Sequence, residues 1–171
     1  MPSSVDTATG PTHGYVFISY AHADAAYVKV LVAALDAAGV PWWYDERLES
    51  GDRFGRVLAE RIDGCAAFVL VMSPDAAASA YVAKELRRAQ HARRPIYPLL
   101  LAGDPLPAVA DRHYVSVAGA VPPPASLIDA LQARVADPPP PVSPGKARLV
   151  GRGFPRRNPH FVGREALLHQ L

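Results

Sequence analysis

Short apolar runs alternate along the chain with stretches whose apolar residues recur every three or four positions. Residues 15–20 form the first run, apolar and aromatic with strong β preference. Its continuity predicts a strand buried on both faces. Asp24 then stands where a helix N-cap belongs, and Val28, Leu31, Val32 and Leu35 recur at helical spacing before Gly39 closes the segment. Residues 40–44 predict a second strand, which Pro41 pushes toward a sheet edge or a strand start. Residues 45–54 are polar and read as a loop. Val57, Leu58 and Ile62 share the face of a second helix that Gly64 ends. Residues 66–72 are apolar without interruption and predict a central strand, broken by Ser73-Pro74-Asp75. Residues 79–92 are rich in helix formers. Residues 96–101 and 114–117 predict two more strands. Residues 125–135 predict a last helix, with Leu127, Ile128, Leu131 and Val135 on its inner face.

Strands that alternate with helices imply a parallel sheet covered on both faces. The fold class expected is therefore α/β: a flavodoxin-like, doubly wound, five-stranded parallel sheet of order 2-1-3-4-5. In such sheets a ligand sits beyond the carboxyl ends of the strands, at the switch point between strands 1 and 3. That rule selects residues 19–23, residues 44–54 and the chain from Ser73 onward.

Composition sharpens the boundaries. The chain has 171 residues, half of them apolar, enough for one domain with tails. Its 18 prolines cluster between Pro122 and Pro159, which marks linker. The net charge of +2 is uneven. Residues 14–137 hold 12 Lys+Arg and 14 Asp+Glu, giving −2, whereas six basic residues and one acid follow from Pro138. The basic tail reads as solvated linker, and no nucleic-acid partner is expected. The organisation expected is a lead-in at 1–13, a domain at 14–136, a Pro/Arg-rich linker at 137–157 and the start of another module at 158–171. Cys65 is the one cysteine, which excludes an internal disulfide and a thiolate metal cluster. It opens an apolar run and is expected in the core. No apolar stretch is long enough to span a membrane, and the first residues lack a signal-peptide pattern. A cytoplasmic location away from membranes is the expectation.

Four segments, in order, resemble the TIR (Toll/interleukin-1 receptor) domain family, in its bacterial type. Val16-Phe17-Ile18-Ser19-Tyr20 is similar to the family's first box. Gly39-Val40-Pro41-Trp42-Trp43-Tyr44-Asp45 with Leu48-Glu49-Ser50-Gly51-Asp52 resembles its second strand and BB loop. Phe68-Val69-Leu70-Val71-Met72-Ser73-Pro74 resembles the central strand, and Ser79-Ala80-Tyr81-Val82-Ala83-Lys84-Glu85-Leu86 the S-x-W-V-x-x-E-L helix start. Tyr81 stands where the family often has Trp, and Ala21-His22 replaces basic residues after the first box. The likeness covers about residues 14–136. Asn158-Pro159-His160-Phe161-Val162-Gly163-Arg164-Glu165 resembles the entry to a STAND (NB-ARC-like) NTPase, which implies an N-terminal piece of a longer signalling protein; no Walker A motif is present.

Many TIR domains of this type cleave NAD+ at the nicotinamide–ribose bond. The resemblance implies NAD+ as substrate, with no cofactor and no metal, and other TIR domains as partners in an oligomer that switches activity on in prokaryotic immune signalling. The leaving group is already a pyridinium cation, so its departure needs no general acid. A fixed carboxylate beside the ribose stabilises the oxocarbenium charge that develops. The resemblance gives that role to Glu85. By pattern alone Glu85 reads as a solvent-facing helix acid beside Lys84, Arg87 and Arg88.

Tyr81, one turn earlier on the same face, is a candidate pocket wall or a packing residue. Phe54 is a candidate ring for stacking, or a helix core residue. Asp45 and Glu49 fall in the loop over the expected pocket, where solvated acids are the alternative. Ser19, Tyr20 and Ala21 end strand 1, and Ser73 ends strand 3, where they can meet a substrate. Trp42 and Trp43 must face opposite sides of one strand. No G-x-G-x-x-G is present, which disfavours a hydride-transfer site. His22, His91 and His113 show no metal spacing. The competing expectation is a non-catalytic TIR interaction module that assembles through residues 44–54. A phosphate-receiver domain shares the topology but needs paired acids that the end of strand 1 lacks.

Overall fold

The computed structural model describes residues 14–45 and 52–140, with the backbone alone for 52–54. The expected lead-in, the linker beyond 140 and the segment 158–171 lie outside the described residues. β1 (Val16–Ser19), β2 (Trp42–Trp43), β3 (Ala67–Met72), β4 (Ile96–Leu100) and β5 (Val115–Ser116) form one sheet of order β2-β1-β3-β4-β5. Every pairing is parallel. The helices are α1 (Ala25–Ala37), α2 (Asp52–Gly64), α3 (Pro74–Ala78), α4 (Ala80–His91) and α5 (Ala125–Ala136). The doubly wound order expected from the alternating pattern is the one observed.

Alternation along the strands divides the core into two layers. Phe17, Phe68, Leu70 and Met72 point to one face and pack with Leu58 and Ile62 of α2 and Val82, Leu86 and Ala89 of α4. Val16, Ile18, Val69 and Val71 point to the other, against Val28, Leu31 and Leu35 of α1 and Leu127 and Leu131 of α5. β3 is buried at all six positions, as a central strand in a two-sided core must be. Phe17 stacks on Phe68 and leans on Trp43, with centroids 5.3 and 5.2 Å apart. Cys65 is buried, and burial pushes its thiol up to about 12, so it behaves as a small core residue.

Three local outcomes refine the sequence reading. β2 keeps only Trp42 and Trp43 of the expected 40–44. The Val40 N–H instead closes the end of α1 by donating to the Leu35 carbonyl at 2.9 Å, and Gly39 makes the turn with φ +66°. Ser73-Pro74-Asp75, read as a break, opens the short helix α3. Ser73 caps it by accepting the Ala76 N–H at 3.0 Å, and Pro74 occupies the first turn, where no N–H is needed. Pro98 sits inside β4, where a proline normally removes a ladder bond. The Leu101 N–H donates to Met72 of β3, so alternation turns Pro98 toward β5. Pairing with β5 begins only at Leu99, so the missing N–H has no strand to meet.

Among the described residues, no helix is long and apolar enough to cross a membrane.

Candidate active site

The site forms where β1 ends and α4 begins. Ser79 separates α3 from α4 with an extended backbone, and its hydroxyl accepts the Val82 N–H at 3.2 Å. This cap sets the start of α4 and with it the face that meets the sheet. Val82, Glu85, Leu86 and Ala89 make up the buried stripe of α4. Glu85 therefore lies on the inner face, only 5% exposed, and is not a solvent-facing acid.

Ser19 is two residues beyond Phe17 and so points to the same layer as α4. Its hydroxyl donates to Glu85 Oε2 at 2.5 Å. Burial raises the Glu85 carboxyl from 4.5 to about 7; the Ser19 hydrogen bond pulls it back, and the charge of Asp45 pushes it up further. Asp45 follows β2 by two residues from Trp43 and approaches from that strand end. Tyr81 sits one turn before Glu85 on α4 and is 44% exposed. Partial desolvation raises its phenol, with smaller contributions from Asp45 and Glu85. Ser19, Asp45, Tyr81 and Glu85 thus converge at the carboxyl edge of the sheet.

Beside Glu85 a groove of about 320 Å³ runs between α2 and α4. Leu58, Ala59 and Ile62 of α2 form its apolar side, and Lys84, Arg87 and His91 stand on α4. Arg88 is engaged with Asp63 of α2, which ties the two helices together.

The remaining candidates fall elsewhere. Ser73 faces the α1 layer, where its hydroxyl donates to Asp24 Oδ2 at 2.6 Å. It caps α3 and pairs with Asp24 on the side of the sheet away from Glu85, so the two serines serve different layers. Tyr20 also faces the α1 layer, with its ring edge-on to Tyr44 at 5.6 Å. Tyr44 stacks on Trp42 at 5.1 Å, and Trp42 Nε1 donates to Asp36. Trp42 and Trp43 do face opposite layers. Ala21 is buried on the α2–α4 side and offers only a small wall. Glu49 and the side chain of Phe54 lie outside the described residues.

Sequence reasoning missed Asp24 as a buried acid. It holds the N-cap position of α1 but makes no side-chain cap bond there. Burial raises its carboxyl, and the Ser73 hydrogen bond opposes that. Nothing local distinguishes such an acid from a cap; only the pairing of β1 with β3 brings Ser73 to it. Among the described residues no group of three or more His, Cys, Asp or Glu side chains could hold a metal ion.

A doubly wound five-stranded parallel sheet with a crevice at its switch point defines the flavodoxin-like class of α/β domains. Within it, this chain belongs to the TIR domain family, whose model, described as TIR domain, matches residues 16–131. Among solved structures it resembles the TIR domain of the Toll-related receptor TRR-2 from Hydra magnipapillata. The identity there is 25% and the TM-score 0.53, over 59% of this chain and 82% of that one. It is similar in fold to the RPS4 and RRS1 TIR domain heterodimer, at 15% identity and TM-score 0.52, over 71% of this chain and 98% of that one. It is likewise similar to a metazoan TIR-STING receptor from C. gigas, at 21% identity and TM-score 0.53, over 78% and 44%. No protein of curated function matches the chain.

Proposed function

We propose that this TIR domain cleaves NAD+ at the nicotinamide–ribose bond, with Glu85 as the catalytic carboxylate and assembly of several copies as the switch. The observation that carries this reading is the setting of Glu85. It is a buried acid with one hydroxyl partner, and among the described residues the charged group that shifts it is another acid, Asp45. A carboxylate that is desolvated, and that no described cation pairs with, is poised to receive one. The nicotinamide riboside end of NAD+ is such a cation. Its approach favours the ionised form of Glu85, and the charge moves from the pyridinium ring toward the ribose as the bond breaks. The bonding pair leaves with the nicotinamide nitrogen. Water, or an internal nucleophile of the ADP-ribose, then takes the anomeric carbon. Ser19 holds the carboxylate in place, and Asp45 and Tyr81 border the same opening. The immune context, the bacterial type and a STAND module downstream belong to the same proposal and rest on the sequence boxes alone.

The test follows nicotinamide release from NAD+ by the full chain under conditions that oligomerise it. Wild type is expected to consume NAD+, and Glu85→Gln to lose at least about a hundredfold in rate. A wild type that is inert when assembled leaves the interaction-module reading standing instead. A Glu85→Gln variant as fast as wild type removes Glu85 from the chemistry.

A further inference from the structure

We infer that the groove between α2 and α4 binds the diphosphate-bearing arm of the dinucleotide, with Arg87 and His91 as its anion-recognising side chains. This rests on the proposed NAD+ reaction for the identity of the ligand, while the groove itself stands on geometry.

The groove begins at the catalytic candidate and leads away from it. Glu85 lines one end, and His91 lies six residues further along α4, about 9 Å at the helical rise. The two walls have different chemistry, and both follow from helical periodicity. On α2, Gly55, Leu58 and Ile62 turn toward the groove at intervals of three and four residues. On α4, Lys84, Arg87 and His91 do the same. On the first wall Leu58 and Ile62 are 4% and 1% exposed and form an apolar floor, and Gly55 leaves one end without a side chain. The second carries two cations and an imidazole.

None of these basic groups is committed to a carboxylate among the described residues. The α4 cation that is committed is Arg88, and its partner Asp63 lies on the opposite helix. That pair fixes the spacing of the walls and leaves Lys84, Arg87 and His91 to what enters between them. An apolar floor beside a basic wall suits a ligand with a charged phosphate arm. Guanidinium groups match phosphate oxygens bidentately, and an imidazole N–H adds a directed donor.

Size selects the part of the ligand. About 320 Å³ is the lower end of the about 300–1,000 Å³ that small-molecule sites span. The groove therefore holds one nucleotide arm and not the whole dinucleotide. The nicotinamide riboside then stays at Glu85, where β1 and α4 meet, and the diphosphate passes along α4. An arm held there anchors the reacting sugar without touching it, which is binding energy drawn from a remote part of the substrate.

The experiment titrates ADP-ribose, which has no bond left to cleave, into the assembled full chain by calorimetry. Wild type is expected to bind it, with affinity falling as salt rises. Arg87→Ala combined with His91→Ala should weaken it by about tenfold, as expected for lost charge-assisted hydrogen bonds. Arg87→Lys should restore part of the loss. Lys29→Ala, an exposed cation on α1 across the sheet, serves as the charge control and should bind as wild type. In turnover, the double variant should lower kcat/KM for NAD+ relative to nicotinamide riboside, which has no diphosphate. Absence of ADP-ribose binding, or equal binding by wild type and the double variant, overturns the groove assignment. Failure of the two readings is distinguishable. ADP-ribose held through Arg87 and His91 by a chain that never releases nicotinamide keeps the groove and removes the reaction. NAD+ cleavage that needs Glu85 but ignores both groove residues keeps the reaction and removes the groove.

Discussion

A carboxylate that loses water without gaining a paired cation holds its proton more tightly, and among the described residues Glu85 is in that position. Its carboxyl rises from 4.5 to about 7 because burial outweighs the single hydrogen bond from Ser19. The folded state therefore binds more protons at this site than the unfolded chain does between those two values. The associated stability is complete below about pH 4.5 and is lost as pH rises through about 7. A shift of that size corresponds to about 3 kcal/mol. Glu85→Gln keeps an acceptor for Ser19 and removes the charge. It should be more stable than wild type at pH 8, by up to about 3 kcal/mol, and indistinguishable near pH 4.5. Denaturant unfolding at both pH values checks this, and a difference that does not change with pH would mean that ionisation costs nothing here. The same terms set the pH dependence of the proposed reaction, which needs the carboxylate and should rise through about pH 7. Ser19→Ala removes the bond that favours ionisation and should move that rise to higher pH. Asp45→Asn removes a neighbouring negative charge and should move it lower. Two equal shifts, or two in one direction, would contradict the electrostatic account.

Element by element, the pattern of apolar positions carried most of the fold, because burial in a two-layer core leaves a periodic trace. β3 was legible as central from its unbroken run, and the opposite facing of Trp42 and Trp43 followed from strand geometry alone. What the pattern did not carry were decisions made by hydrogen bonding between segments. Ser73 looked like a site residue because it ends a strand, but its register on β3 turns it to Asp24, and of the two serines it is Ser19 that shares a layer with Glu85. Val40 has the composition of a strand residue, yet its N–H is used to close α1. That closure depends on Gly39, whose φ of +66° is strained for any residue with a Cβ, although an added Cβ there meets nothing within 4 Å. The cost of Gly39→Ala is thus conformational and not steric, about 1–2 kcal/mol. Thermal unfolding of the variant should show that loss with little change in the NAD+ reaction, since the turn lies at the opposite end of the sheet from Glu85. A neutral result would show that the helix end can re-form without the left-handed turn.

Over the whole molecule, the amino-terminal edge of the sheet is closed by a charge that pairs with no acid among the described residues. Arg94 follows α4 and is only 6% exposed. Its guanidinium donates to the carbonyls of Ala92 at 3.0 Å and Cys65 at 3.2 Å, and to those of Pro139 at 3.4 Å and Pro140 at 2.8 Å. One side chain thus joins the end of α4, the approach to β3 and the chain that leaves α5. Gly14 makes the same region tight from the other terminus, since an added Cβ would lie 2.8 Å from the Val135 carbonyl and 3.1 Å from Pro138. None of this is visible in the sequence, because backbone carbonyls carry no residue signature. The exit of the chain after α5 is therefore fixed against the sheet, on the edge opposite the proposed reaction. Arg94→Met keeps much of the apolar stem and removes every donor. It leaves the buried Cys65 carbonyl short of a partner and should lower stability by about 1–3 kcal/mol. It should also release the chain from Pro138 onward, so limited proteolysis just beyond α5 should quicken by more than the global loss of stability accounts for. Arg93→Met, at the exposed neighbouring position, should change stability by less than about 0.5 kcal/mol. If Arg94→Met and Arg93→Met are cleaved beyond α5 at the same rate, the proline segment is held by its own packing and Arg94 is not its anchor.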